Sequence, residues 1–399
     1  MRKLTLFAGA LGLTLAVAAS PASAASDRSF TKTFPVPADA TLRLANLAGR
    51  IELSQAPGSE LKVEAHVFAE GKDAAETRRL LDQMSWVEGR DKKGNPEWAL
   101  SYPVNDYRGF AYPGSGRGER HDEPGVLERL LESFNLGNQS TGTYLGKRVS
   151  VYGSPGASVP VLYADLKIAL PATGKVRVRN LIGPVDGGDL AGDLVVDTGS
   201  GAVKIDGFTG NLYVDTGSGS VKLGRARGET KVDTGSGGIR VAELVGNGDL
   251  DTGSGSVQVE KVAAGKLRID TGSGSVSVQN GQVGTLTADT GSGSIHVIDV
   301  EVETFSGDTG SGSVTLQSSL AGARDVHIDT GSGSVTIVAG ANASFDLVAD
   351  QGSGRLSVGY DDAVLKKEGN RVVGAQRGSK QTRIVIETGS GGCSISPKT

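Results

Sequence analysis

Cysteine is almost missing from this chain. Cys393 is the only one in 399 residues, so no disulfide within the chain can staple the fold, which must rest on burial and hydrogen bonds. Large rings are scarce as well. Aromatic residues make up 5% of the sequence, and both tryptophans, Trp86 and Trp98, fall in its first quarter. That predicts a thin, aliphatic core. Neither sign of charge dominates: the net charge is −4, which argues against a nucleic-acid partner. The four histidines (His66, His121, His296 and His327) are scattered without metal-ligand spacing. No cofactor motif and no Ser-His-Asp constellation emerges.

Long apolar runs are also lacking beyond the start. Arg2 and Lys3 precede a short uncharged run over residues 4–18, and Ala22-Ser23-Ala24 has the small-x-small form of a cleavage site. Residues 1–24 are therefore read as a signal peptide, with no membrane span after its removal and export to the periplasm or the cell exterior as the expected fate.

Glycine is abundant, with 60 residues, and much of it lies in a repeat. D-T-G-S-G begins at Asp197, Asp215, Asp233, Asp251, Asp270, Asp289, Asp308 and Asp329; Asp350 opens a D-Q-G-S-G variant and Glu387 an E-T-G-S-G variant. Apolar residues keep register with the motif. Leu194 and Val196, or Leu212 and Val214, stand three and one before the Asp; Val203 and Ile205, or Val221 and Leu223, stand six and eight after it. Each pair is spaced by two, as one face of a strand requires. Between the pairs the step is odd, so the chain must turn at the glycines, where positive φ is cheap. A second turn is expected at Gly210, Gly228, Gly246, Gly265 and Gly284. The expected architecture is an all-β β-solenoid of stacked two-strand coils, each of about 18–21 residues, whose shared core no repeat can bury alone. Ten coils would give a rod roughly 45–50 Å long.

The expected organisation is a β segment over residues 25–69 that starts the solenoid, a mixed and partly irregular insertion over 70–160, and solenoid repeats over 161–399 with an excursion at 359–382. Within the insertion, residues 73–86 and 123–134 read as short helices and 95–118 as irregular.

The stretches L-R-L-A-N-L-A-G-R-I-E-L (residues 42–53) and A-D-L-K-I-A-L-P (residues 164–171), together with the repeated apolar-x-apolar-D-T-G-S-G-x-V-x-V, give the chain a family likeness. It resembles the bacterial DUF4097 family, whose members are provisionally labelled adhesins. The resemblance covers about residues 30–69 and 160–399 and implies a secreted or envelope β-repeat protein. Residues 70–160 depart from the family pattern.

D-T-G-S is also the short motif of aspartic proteases, which bring two copies together around one proton. Here it recurs in every coil, which predicts a file of carboxylates. The structural reading is an Asx-turn, with each Asp accepting N–H groups two and three residues ahead. Such a file could hold calcium, although the G-G-x-G-x-D pattern of calcium solenoids is absent. The Thr row that follows the Asp row suggests either an ice-binding array or, more ordinarily, a stacked hydroxyl ladder. Cys393 falls in the inward Val register and reads as a small buried hydrophobe. Seven residues after the motif Asp, Lys204, Lys222 and Arg240 are expected to line one face, as an attractor of acidic glycan or lipid headgroups or as a solvated surface. Tyr102, Tyr107, Phe110, Tyr112 and Tyr144, with Arg108, Arg117 and Arg120, mark the insertion as a binding surface or a self-packed loop; Tyr107 and Tyr112 are its candidate contacts.

These features point to an exported, non-enzymatic structural or adhesive module that needs no cofactor and binds a glycan, an envelope component or a protein. The alternative is an accessory protein of an envelope-stress or regulatory system. A polysaccharide-cleaving enzyme ranks third.

Overall fold

A computed structural model describes residues 25–91, 94–114, 139–156, 158–379 and 382–398. The predicted signal peptide and the expected helix at 123–134 lie outside these residues. The chain is all-β, with one short helix and a large sheet. Among the described residues no helix is long and apolar enough to cross a membrane.

Successive repeats lie side by side as parallel strands in register. Asp197 pairs with Asp215, Asp215 with Asp233, Asp233 with Asp251 and Asp251 with Asp270, while Val203 pairs with Val221 and Val221 with Ile239. Each residue therefore meets its own equivalent one repeat on, and like side chains form rows. The motif strand (Leu212, Val214) and the following strand (Val221, Leu223) both bury their alternate residues, as the period-two pattern predicts. A third inward row escapes the two-strand reading. Leu190, Phe208, Ala226, Leu244 and Val262 are paired in sequence and buried, so each repeat turns its chain inward along three short segments.

The G-S-G turn is built differently from the expectation. In the D-T-G-S-G turns the glycines do not adopt positive φ, which appears only at Gly352 of the D-Q-G-S-G variant, and the D-T-G-S-G aspartates do not form the predicted Asx-turns. The threonine closes the turn instead: the Gly237 N–H donates to Thr234 Oγ1 at 3.1 Å, and the Gly255 N–H to Thr252 Oγ1 at 3.0 Å. Asp350, which accepts from the Gly352 N–H at 3.4 Å, makes the one Asx contact among the described motif aspartates. Glycine is needed here because repeats approach closely. A Cβ on Gly255 would lie 2.0 Å from the Gly237 carbonyl oxygen. Positive φ belongs to the second turn, at Gly210, Gly228 and Gly246, but Gly265 and Gly284 do not share it.

Both ends depart from sequence order. At the far end, the strand Thr382–Thr388 sits between Asp325–Thr330 and Phe345–Asp350, and Cys393–Pro397 sits between Val335–Ala339 and Leu356–Val358. The E-T-G-S-G repeat thus wedges in front of the D-Q-G-S-G repeat that precedes it in the chain. The excursion at 359–382 forms a hairpin, Val364–Glu368 with Arg371–Arg377, whose second strand covers Phe345–Asp350 antiparallel. At the near end, Ile51–Ala56 lies between Val161–Pro171 and the start of Val185–Ser200. Antiparallel strands Ser26–Pro35 and Glu60–Glu70 close that side.

Within residues 70–160 the helix is confined to Ala74–Asp82, where Asp73 accepts the Glu76 N–H at 2.8 Å as N-cap. Trp86 already belongs to a strand, Trp86–Arg90, paired with Pro96–Leu100. The span expected to be irregular also contains Gly109–Ala111, paired with Lys147–Tyr152.

Candidate binding faces

The rows give the outer surface its chemistry. Lys204, Lys222 and Arg240 are direct register partners on three adjacent strands. Strands in a sheet lie about 4.8 Å apart, so three cations stand within roughly 10 Å. The row continues on the other side through Asp186 and Glu52 to Lys167 and Glu64. Asp186 is ion-paired with Arg50, Lys204 with Asp206 at 3.3 Å, and Arg240 with Glu260. Lys222 is exposed, and no carboxylate among the described residues pairs with it. Beside it on its strand stands Gly224, which has no side chain to shield it.

The other outward face carries the motif aspartates. Asp197, Asp215, Asp233, Asp251, Asp270, Asp289, Asp308 and Asp329 form one continuous file that ends on Glu387 and Asp350. An isolated dyad of the protease kind is not formed. Burial pushes the carboxyls of Asp215, Asp251 and Asp289 above the usual range, and the neighbouring aspartates of the file push the same way. Cations reach the file at its first member and at its middle: Arg177 meets Asp197 at 2.6 Å, and Arg268 meets Asp270 at 2.6 Å and Asp251 at 3.9 Å. Among the described residues no group of three or more His, Cys, Asp or Glu is arranged to hold a metal ion.

Threonine sits inside. Thr216, Thr234, Thr252, Thr271 and Thr290 are about 1% exposed, which removes the ice-binding reading. The hydroxyl ladder runs through backbone: each threonine donates to a glycine carbonyl of the preceding repeat. Asn46 and Asn180 occupy the same column, and the Tyr102 hydroxyl donates to Asn46 Oδ1 at 2.9 Å.

The insertion aromatics are mainly core. Tyr102, Phe110, Tyr112 and Tyr144 are buried, and Tyr102 packs on Phe110 and Tyr144. Tyr112 was a candidate contact; at 7% exposure it has almost no surface to offer a partner, because its ring packs on Tyr163. Tyr107 is half-buried and engaged, donating to Glu76 and accepting from Arg79, both at 2.6 Å. Arg117 and Arg120 lie outside the described residues. Cys393 is buried beside Val335 and Leu356, and burial pushes its thiol up to about 11.

A feature the sequence reading missed is a groove of about 650 Å³ along the start of the motif strands. Its wall residues two and four before the motif Asp, such as Tyr213, Asn211, Glu229 and Lys231, vary from repeat to repeat, so no consensus marked them.

In class, this is a repeat-built all-β protein whose outward side chains form rows at strand spacing. The Toastrack DUF4097 family model matches residues 165–321 and, in a second overlapping match, 231–396. The chain belongs to the DUF4097 family. Comparison with curated proteins finds no match. Among solved structures, a Parabacteroides distasonis protein provisionally named an adhesin is 10% identical, over 92% of this chain and 97% of its own, at a TM-score of 0.35. A second protein of that organism, provisionally named lipid-binding, is 11% identical over 92% and 96%, at 0.33. A Bacteroides fragilis protein, also provisionally named an adhesin, is 10% identical over 93% and 97%, at 0.24. Likenesses this low carry no argument about what the present chain binds.

Proposed function

We propose that this chain is an exported, non-enzymatic β-solenoid that binds an acidic polymer of the cell envelope or its surroundings. In this reading residues 25–69 and 161–399 build the solenoid, and 70–160 is an insertion that closes its near end. The apolar, cleavable character of residues 1–24 supports export. Outward positions dominated by Ser, Thr, Gly and paired charges, with the acids spread along a file, support binding rather than catalysis.

The observation that carries the reading is the Lys204–Lys222–Arg240 row, whose central Lys222 has no carboxylate partner among the described residues. A polymer bearing one negative charge per residue would meet a cation at each strand step. Attraction between exposed charges is screened over about 8 Å at physiological salt, so such binding would weaken steeply as salt rises. The test is titration of polygalacturonate, a linear polyanion, into the protein. Lys222→Glu is expected to weaken binding at least tenfold without lowering thermal stability. Absence of binding, or binding indifferent to Lys222→Glu and to salt, would overturn the proposal.

A further inference from the structure

The groove on the aspartate face is a second site of different chemistry. It crosses seven neighbouring chain segments, at Thr41, Lys175, Asp193, Asn211, Glu229, Asn247 and Lys266, which are adjacent in register. Six strand steps make it about 29 Å long. Along one wall the polar groups are bonded in two sets: Asn211 donates to Asp193, and Asn247 donates to Glu229 at 2.8 Å while accepting the backbone Lys266 N–H at Oδ1, 3.0 Å away. Tyr213 and Val195 supply apolar surface beside it, and the Lys231 ammonium stands 5.7 Å from the Tyr213 ring centre.

Charge in the groove is nearly balanced. Lys175, Lys231, Lys266 and Arg268 face Asp193, Glu229 and Asp249. Lys231 and Arg268 both pair with Asp249, at 3.4 and 3.3 Å, so much of this charge is neutralised in place. A strongly charged ligand would gain little here. A ligand rich in hydroxyls would find donors and acceptors in alternation, and an aromatic face for its C–H groups. The repeat distance narrows the class further. An extended β-linked glycan advances per sugar by almost the strand spacing, so successive sugars would meet successive repeats.

We infer that this groove binds an uncharged, extended polysaccharide segment of about six sugars, one per strand step. The site is independent of the basic row, and the two can fail separately.

The test uses the full chain with β-1,4-linked glucose and N-acetylglucosamine hexamers as probes, followed by calorimetry or intrinsic fluorescence. Saturable binding of one hexamer is expected, insensitive to salt. Tyr213→Ala should weaken it about tenfold, a loss on the scale of one aromatic contact. Asn247→Ala should weaken it less, and Lys222→Glu should leave it unchanged. Thermal melts of each variant separate lost binding from lost fold; where Tyr213→Ala melts early, Tyr213→Phe and Tyr213→Leu compare ring with bulk, and only the ring should retain binding. Failure of both hexamers to bind, binding that survives loss of the Tyr213 ring, or binding that Lys222→Glu removes would each overturn the assignment.

Discussion

The Thr252 hydroxyl donates to the Gly237 carbonyl oxygen of the preceding repeat at 2.8 Å and accepts the Gly255 N–H of its own turn at 3.0 Å. One buried oxygen thus closes a turn and joins that turn to the one before it. Replacing Thr252 with Val keeps the shape but strands a buried donor and a buried acceptor. We expect a loss of about 2 kcal/mol, since each unsatisfied buried group costs roughly 1–3 kcal/mol. Thr252→Ser should lose less. Urea unfolding checks both, and equal effects would show that the hydroxyl does not matter.

Glycine in the turn is required by proximity to the neighbouring repeat. Gly255→Ala would set a methyl 2.0 Å from the Gly237 oxygen, a collision with backbone that no side chain can relieve. The expected cost is about 3 kcal/mol, at the upper end of ordinary overpacking. Gly188→Ala, where nothing lies within 4 Å of the added carbon, should be near neutral. Comparing the two melts tests the account, and similar melts would refute it.

The aspartate file gives stability an uncommon pH dependence. Asp215, Asp251 and Asp289 have folded-state values raised above the ordinary carboxylate value by burial and by their neighbours. Their contribution is therefore fully present below that ordinary value and is lost as pH rises through the raised one. Asp251→Asn should stabilise the chain near neutral pH and shrink this loss, while the advantage of the variant should fade under mild acid. Denaturant midpoints of wild type and variant across that range are the measurement. A constant difference would contradict it.

Cys393 should be chemically silent in the folded chain. Its thiol is buried and pushed up to about 11, so little thiolate forms near neutral pH. A maleimide probe should label it only after denaturant is added, with mass spectrometry as the readout. Rapid native labelling would show that the C-terminal repeat opens.

Much of the repeat was legible because its signal is carried by identity and spacing. The Val and Leu rows fixed which side chains point inward, and the odd step across G-S-G fixed a turn between them. Cys393 was placed by the same register. Other features were not local. Both Asp and Thr can cap a turn, and burial of the Thr decides between them, which depends on the repeat stacked below. The third inward row, from Leu190 to Val262, stands an odd number of residues beyond the second, so a period-two pattern broken by another bend concealed it. Tyr112 read as a candidate contact because it lies among polar and glycine-rich residues, yet with Tyr144 it fills the near end of the core. The groove combines residues that differ at every repeat and so leaves no consensus.

The interleaved far end also sets an order of events. Residues 345–358 leave the ribosome before residues 382–398, but in the finished molecule the later segment lies between them and the Asp329 repeat. Growth of the sheet by simple addition must therefore pause there, with a gap one strand wide on each face. Only when the later segment arrives can the gap close and the earlier one dock. A chain cut short within the hairpin would keep that gap as an open, sticky edge.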